Sequence, residues 1–136
     1  MELKNKTILL IEDDLLVGKM YERYLLVAGA RVIWAHDGKN GLEKLKKEKV
    51  DLVVTDLMMA KMDGYEVIQC IRKNKKTKNI PIIIFTNLTK RPEDVKKIQD
   101  FKIAEYIIKS DVTLKDLVKV ISTVLRETDK KKIKTV

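Results

Sequence analysis

Five short apolar runs alternate with five amphipathic segments along this chain, and that alternation limits the fold more than any other feature. The runs are Thr7–Ile11, Arg31–Ala35, Leu52–Thr55, Pro81–Phe85 and Tyr106–Ile108. They are rich in β-branched residues and lack polar alternation, which is the pattern of strands covered on both faces. The segments between them carry apolar residues at helical spacing. The first places Val17, Met20, Tyr21, Tyr24 and Ala28 on one face and is stopped by Gly29. Asp37-Gly38 opens a helix with Leu42 and Leu45, and Asp63 with Glu66 has capping-box spacing ahead of Val67, Ile68 and Ile71. Pro92 suits the first turn of a helix through Val95 and Ile98. Thr113 with Asp116 opens the last helix, which carries Leu114, Leu117, Ile121, Val124 and Leu125. Strict strand–helix alternation predicts an α/β domain with a parallel sheet, right-handed crossovers and helices on both faces.

In such sheets the site lies beyond the carboxyl ends of the strands. The residues at those ends are Glu12-Asp13-Asp14, Asp56, Thr86 and Lys109. An aspartate closing a buried strand is costly unless something compensates its charge. Asp56 alone could be a loop cap. Together with three further carboxylates and a lysine, it reads as part of a built site. Carboxylates that converge repel one another unless a cation sits among them. An all-oxygen set with no His or Cys suits a hard cation, Mg²⁺ or Mn²⁺. Mg²⁺ binds at about 2.0–2.1 Å and keeps several waters, so two or three protein ligands suffice. Such an ion would let a phosphoryl group approach Asp56, with Lys109 as a second positive charge and Thr86 as a hydroxyl donor. The arrangement suits formation of an aspartyl phosphate by nucleophilic attack of Asp56. A salt bridge from Lys109 to one of the aspartates is compatible with that role.

Composition narrows the alternatives. At 136 residues the chain reads as one domain, with 45% apolar and 36% charged residues. No apolar run is long enough to span a bilayer, and Met1-Glu2-Leu3-Lys4-Asn5 leaves no room for a signal peptide. Cys70 is the only cysteine, which excludes an internal disulfide and points to a cytoplasmic setting. One His and one Cys argue against zinc or Cys/His catalysis. Much of the +9 formal charge lies in Arg72–Lys78 and Lys130–Lys134. Neither run has interleaved aromatics, so both read as solvated surface rather than a nucleic-acid or membrane site.

Four stretches in order closely resemble the receiver domain of two-component response regulators. They are Ile8-Leu-Leu-Ile-Glu-Asp-Asp14, Asp51-Leu-Val-Val-Thr-Asp-Leu-Met-Met-x-x-Met-Asp-Gly64, Pro81-Ile-Ile-Ile-Phe-Thr86 and Tyr106-Ile-Ile-Lys109. The resemblance implies a flavodoxin-like, doubly wound five-stranded parallel sheet of order 2-1-3-4-5 with five helices. It implies a receiver over residues 1–126, a basic flexible tail over 127–136, and no output domain. It implies Asp56 as the phosphoacceptor, a 4-aspartylphosphate when modified. Asp13, Asp56 and the Met58 backbone carbonyl would hold the metal, with Glu12 nearby through water. Thr86 and Lys109 would hold the phosphoryl group. Thr86 and Tyr106 would form a switch that reshapes the fourth helix–fifth strand–fifth helix surface. A half-buried aromatic with no such role is the competing reading of Tyr106. The implied partners are a sensor histidine kinase or histidine phosphotransfer protein and a downstream protein target, with no nucleic acid and no membrane. The expected state is a monomer or weak dimer, and no substrate other than Asp56 itself is expected to turn over.

Three positions depart from the family pattern. Ala60 and Ser110 stand where proline is usual, and Asn87 where a small residue is usual. A cis bond before serine costs about 2.5–4 kcal/mol, so a trans Lys109–Ser110 peptide and a reshaped loop are expected. Met58 and Leu88, two residues past Asp56 and Thr86, offer no group to orient an attacking water, which predicts a long-lived phosphoryl state. Three other readings use the same strand ends. A flavin mononucleotide carrier needs backbone or hydroxyl donors after the first strand, where Glu12-Asp13-Asp14 would repel its phosphate. A phosphatase with an aspartyl nucleophile would have a second Asp at Met58. A degenerate receiver would act as a constitutive interaction module.

Overall fold

The computed structural model describes residues 1–134. Five strands and five helices follow in strict alternation: β1 (Thr7–Ile11), α1 (Leu15–Val27), β2 (Arg31–Ala35), α2 (Gly38–Lys47), β3 (Leu52–Thr55), α3 (Gly64–Lys73), β4 (Ile82–Thr86), α4 (Pro92–Asp100), β5 (Glu105–Ile108) and α5 (Leu114–Lys134). The sheet is parallel throughout, in the order β2-β1-β3-β4-β5. This is the expected architecture. The order reverses at β1, and the crevice beside that reversal opens at the carboxyl ends of β1 and β3.

Side chains along each strand alternate between two cores. Ile8, Leu10, Val54, Ile83 and Phe85 face α1 and α5, where Tyr21, Leu25, Leu117 and Ile121 meet them. Leu9, Ile11, Val53, Ile82 and Ile84 face the other helices, packing with Leu45, Val67, Ile68 and Ile71. Burial on both faces is why these strands read as continuous apolar runs. The polar residues buried among them, Glu12, Thr55, Asp56 and Thr86, cluster at the carboxyl edge.

Helix starts follow their capping residues. Asp14, Asp37 and Asp63 each accept amide protons from the first turn of the helix that follows. Thr113 and Asp116 form a reciprocal box at the start of α5, each donating its amide to the other's side chain at 3.0–3.1 Å. Gly64 opens α3 where the chain folds back against β3. A Cβ there would sit 2.5 Å from the Asp56 carbonyl oxygen and 2.7 Å from Leu57 Cα, so only glycine fits.

Two expectations need correction. The buried stripe of α1 is Gly18, Tyr21 and Leu25, while Met20 and Tyr24 are 51% and 38% exposed. Helix α1 is apolar nearly all round, so periodicity alone does not fix which side turns inward. Gly18 does, because it lies flat under the Trp34 indole, where a Cβ would come within 2.2 Å of the ring. The boundary at residue 126 also moves. Helix α5 continues without a break to Lys134, so residues 127–134 are helical rather than a flexible tail. Lys6 anchors this extension through Asp129 at 3.0 Å, and Thr128 donates to the Val124 carbonyl. The part of that expectation concerning residues 135 and 136 lies outside the described residues.

Candidate phosphoacceptor site

Each polar side chain at the carboxyl edge is delivered by the end of a strand. Glu12 follows β1, and its amide donates to the Ala35 carbonyl, while its own carbonyl accepts from the Trp34 indole at 2.9 Å. Asp56 follows β3, its amide bonded to the Ile11 carbonyl. Strands β1 and β3 are neighbours with Ile11 opposite Thr55, so Glu12 and Asp56 emerge side by side. Lys109 comes from the end of β5, two strand spacings or about 9.5 Å from β3. Only a long side chain bridges that gap. Its ammonium lies 5.6 Å from the Tyr21 ring centroid and 5.9 Å from that of Phe85, and donates to Asp56 Oδ2 at 2.7 Å and to Glu12 Oε1.

The three charges are largely withdrawn from water, with side-chain exposures of 12% for Lys109, 4% for Glu12 and 9% for Asp56. Burial pushes the Glu12 carboxyl above its ordinary value, and the bond from Lys109 only partly offsets this. For Lys109 burial works against the charge, but donation to Asp56 and Glu12 outweighs it and holds the ammonium's pKa above the usual lysine value. The other Asp56 oxygen, Oδ1, accepts the Met58 amide at 3.1 Å.

Glu12, Asp13, Asp14, Asp56 and Lys109 line one opening, joined by Asn87 and Ser110. Four carboxylates thus face a single ammonium there. Asp13 Oδ2 accepts the Ala60 amide at 3.2 Å, and Asp14 caps α1. Among the described residues no three His, Cys, Asp or Glu side chains converge into a ready-made metal cage. The donor set nonetheless fits a hard divalent cation, which needs only two or three protein oxygens and supplies the rest of its shell with water. Glu12, Asp13 and Asp56 would hold it. The Met58 carbonyl would join them, while the Met58 amide donates a hydrogen bond to Asp56 Oδ1.

Thr86 closes β4 at the same edge but is fully buried, and its hydroxyl accepts the Leu88 amide at 3.3 Å. Tyr106 donates its hydroxyl to the Leu88 carbonyl at 2.8 Å. Both residues expected to form a switch therefore grip one peptide unit on each side of Leu88. The Lys109–Ser110 peptide is trans, as expected, and leads into a single 3-10 turn over Lys109–Asp111.

Sequence reasoning passed over several groups that shape this edge. The Ala60 amide holds Asp13, and Trp34 braces Glu12 from β2. Asp94, only 2% exposed, accepts the Tyr65 hydroxyl at 2.6 Å and the Arg91 amide at 2.7 Å, joining the starts of α3 and α4. An acid at the third helical position, behind Pro92, was the available signal, but its burial is set by Tyr65, 29 residues away.

Comparison with known proteins agrees with this geometry. The sequence model of the response regulator receiver domain matches residues 8–122. A CheY-like response regulator receiver domain protein from Methanospirillum hungatei superposes with a TM-score of 0.84 at 25% identity, covering 93% of this chain and 98% of that one. Chemotaxis protein CheY4 of Vibrio cholerae gives 0.81 at 26% identity, covering 88% and 98%. Among curated relatives, "Probable transcriptional regulator ycf27" of Porphyridium aerugineum is 36% identical over 94% of this chain and 51% of its own length. Transcriptional regulatory protein QseB of Haemophilus influenzae is 41% identical over 68% of this chain and 41% of its own. The chain spans about half or less of the length of these two curated relatives.

These names correct one expectation. Relatives matched along 94%, 96% and 68% of this chain are named transcriptional regulators, which overturns the reading of a stand-alone receiver with no nucleic-acid partner. No described helix is long and apolar enough to cross a membrane. A sheet of order 2-1-3-4-5, an acidic carboxyl edge bridged by one lysine and a sequence match over residues 8–122 agree on one assignment: the chain belongs to the response regulator receiver domain family.

Proposed function

We propose that the protein accepts a phosphoryl group on Asp56 and thereby passes a two-component signal towards transcriptional output. The observation that carries this reading is the Lys109 ammonium, held between Asp56 and Glu12 in an opening that faces solvent. A carboxylate oxygen of Asp56 attacks phosphorus, and the bond to the donor's leaving group breaks, its electron pair departing with that group. Lys109 offsets the negative charge that gathers on the acyl phosphate. The Met58 amide fixes the carboxylate's orientation through Oδ1. The Thr86 hydroxyl keeps its proton free to donate after accepting from Leu88. Glu12, Asp13 and Asp56 would hold Mg²⁺, or Mn²⁺, which supplies further charge neutralisation for the transfer.

No second substrate turns over: the phosphoryl group ends on the protein and leaves by slow hydrolysis. Exposed Cys70 and the lack of a spanning helix among the described residues support a cytoplasmic setting. Transcriptional output rests on the names of the relatives matched over nearly the whole chain. The test is intact mass after incubation with acetyl phosphate and Mg²⁺. Wild type should gain the mass of one phosphoryl group and Asp56→Asn none. An unmodified wild type, or equal modification of both, removes the proposal.

A further inference from the structure

The basic runs set aside as solvated surface meet at the other end of the molecule. Strands β3, β4 and β5 begin next to Asp51, Pro81 and Ala104, and two adjoining grooves open along this amino edge. One groove is lined by Lys46, Lys47, Lys49, Lys76 and Lys132. The other adds Lys78, Lys102 and Lys131 and shares Lys132, Asn79 and Thr128 with the first. All eight lysines are exposed. Only three carboxylates line either groove, and two of them are engaged: Glu48 pairs with Arg31 at 3.1 Å, and Asp51 accepts the Thr7 amide at 2.8 Å. Lysines far apart in sequence are brought together by α5 continuing past residue 126.

Hydrogen bonds brace two of the loops under these lysines. The Arg72 guanidinium donates to the carbonyls of Phe101 at 2.6 Å, Ile80 at 2.7 Å, Lys78 at 3.0 Å and Lys102 at 3.4 Å. One arginine thus ties the loop before β4 to the loop before β5, and Lys78 and Lys102 stand on that shared frame. Thr77, 7% exposed, closes the same loop by donating to the Ile71 carbonyl at 2.7 Å. A preorganised array loses less on binding than lysines on a mobile tail.

We propose that this amino edge docks the sugar–phosphate backbone of a nucleic acid, independently of base sequence. Lysine ammonium groups are point-charge partners for phosphates. The grooves contain no aromatic ring, so stacking and base readout are absent from the chemistry. None of the exposed large apolar side chains of the described residues lies among the lining, which argues against insertion into a lipid surface. The strands separate this edge from the acidic opening at Asp56, so each pole keeps its own sign. The inference does not depend on phosphorylation.

The test is fluorescence anisotropy with a labelled mixed-sequence DNA duplex, using the full chain with no phosphoryl donor. Engagement of four lysines gives a log–log salt slope of about −3.6, or roughly a 150-fold loss of affinity between 50 and 200 mM salt. The triple variant Lys47→Glu, Lys76→Glu, Lys78→Glu should flatten the slope by about 2.7 and lower affinity at least tenfold at 100 mM salt. A matched variant, Lys19→Glu, Lys96→Glu, Lys119→Glu, carries the same change in net charge on other surfaces and should stay within about twofold of wild type. The milder Lys76→Ala, Lys78→Ala variant repeats the comparison should the charge reversals impair folding. Equal weakening by both triple variants would reduce the effect to net charge and overturn the proposal. So would absence of salt-dependent binding by wild type, or binding to phosphatidylcholine–phosphatidylserine vesicles without binding to the duplex.

Discussion

Replacing Lys109 with methionine isolates what the ammonium contributes, because the stem is kept and the charge removed. Glu12 and Asp56 are then left as neighbouring carboxylates at 4% and 9% side-chain exposure. Removing one partner of a buried ion pair commonly costs about 3–5 kcal/mol. The protein has one way to limit that cost, which is to hold a proton on the pair. Protonating Glu12 at pH 7 from its ordinary value of 4.5 costs about 3.4 kcal/mol, against about 0.7 kcal/mol at pH 5. The destabilisation should therefore be about 3 kcal/mol at pH 7 and about 1 kcal/mol at pH 5. For a domain of this size the melting temperature should drop by roughly 10 °C at pH 7. The sign follows from linkage. Loss of Lys109 raises the Glu12 folded-state pKa further, so the variant loses stability as pH rises through that range. In wild type the Lys109 contribution, from a raised folded pKa, is complete below 10.5 and is lost only above it. Urea unfolding at both pH values measures this directly. Adding Glu12→Gln to Lys109→Met should recover much of the loss at pH 7, which makes the pair a double-mutant cycle. A variant within about 0.5 kcal/mol of wild type at pH 7, or equally destabilised at pH 5 and 7, would refute the electrostatic account.

Other consequences follow from single contacts. Gly64→Ala would press a Cβ onto the Asp56 carbonyl and should cost about 1–3 kcal/mol by urea unfolding, slowing phosphoryl uptake as the Asp56 backbone shifts. The Asp94 carboxyl feels burial upwards, but the Tyr65 hydroxyl and the Arg91 amide outweigh it and hold its pKa below the ordinary 3.8. Its stabilisation is present above 3.8 and lost as pH falls through the lowered value; in Tyr65→Phe that loss should begin at higher pH, read as earlier hydrogen exchange in α4. Met58 is 58% exposed beside Asp56, so Met58→Asn should place a water-orienting amide there and shorten the phosphoryl lifetime severalfold, followed by intact mass over time.

The parts of the molecule legible in the sequence are those where chemistry is local. Strand ends could be read because each apolar run stops at a polar residue, and the sheet rule then places those stops along one edge. Helix caps were legible for the same reason, since a cap bonds within three residues. Contacts between distant segments were not. Nothing in Ala60 announces that its amide will hold Asp13, because every residue carries an amide and only the loop's path selects this one. Arg72 sits in a lysine-rich run and reads as surface, yet its guanidinium serves four carbonyls. The end of α5 was misread because a basic run looks solvated whether or not it is helical, and the tie through Lys6 and Asp129 spans 123 residues.

Leu88 shows how the site and the neighbouring surface can be linked without a long chain of contacts. Its amide is held by Thr86 and its carbonyl by Tyr106, so one backbone segment reports on both side chains. The two bonds are unequal. At 3.3 Å the Thr86 bond is the weaker, and a neutral hydrogen bond contributes only about 0.5–1.5 kcal/mol net. Under the proposed function, a phosphoryl oxygen on Asp56 accepts the Thr86 proton that the Leu88 amide leaves free, and a bond to such a charged acceptor is roughly twice as strong as a neutral one. Turning the Thr86 side chain towards Asp56 to make that bond carries its oxygen away from the Leu88 amide. Once that amide is released, the carbonyl three atoms away no longer has a fixed direction, and the Tyr106 hydroxyl loses its reason to stay at the surface. The coupling therefore needs no strain and no large motion, only that the weaker of two bonds to one residue lies on the side where charge arrives.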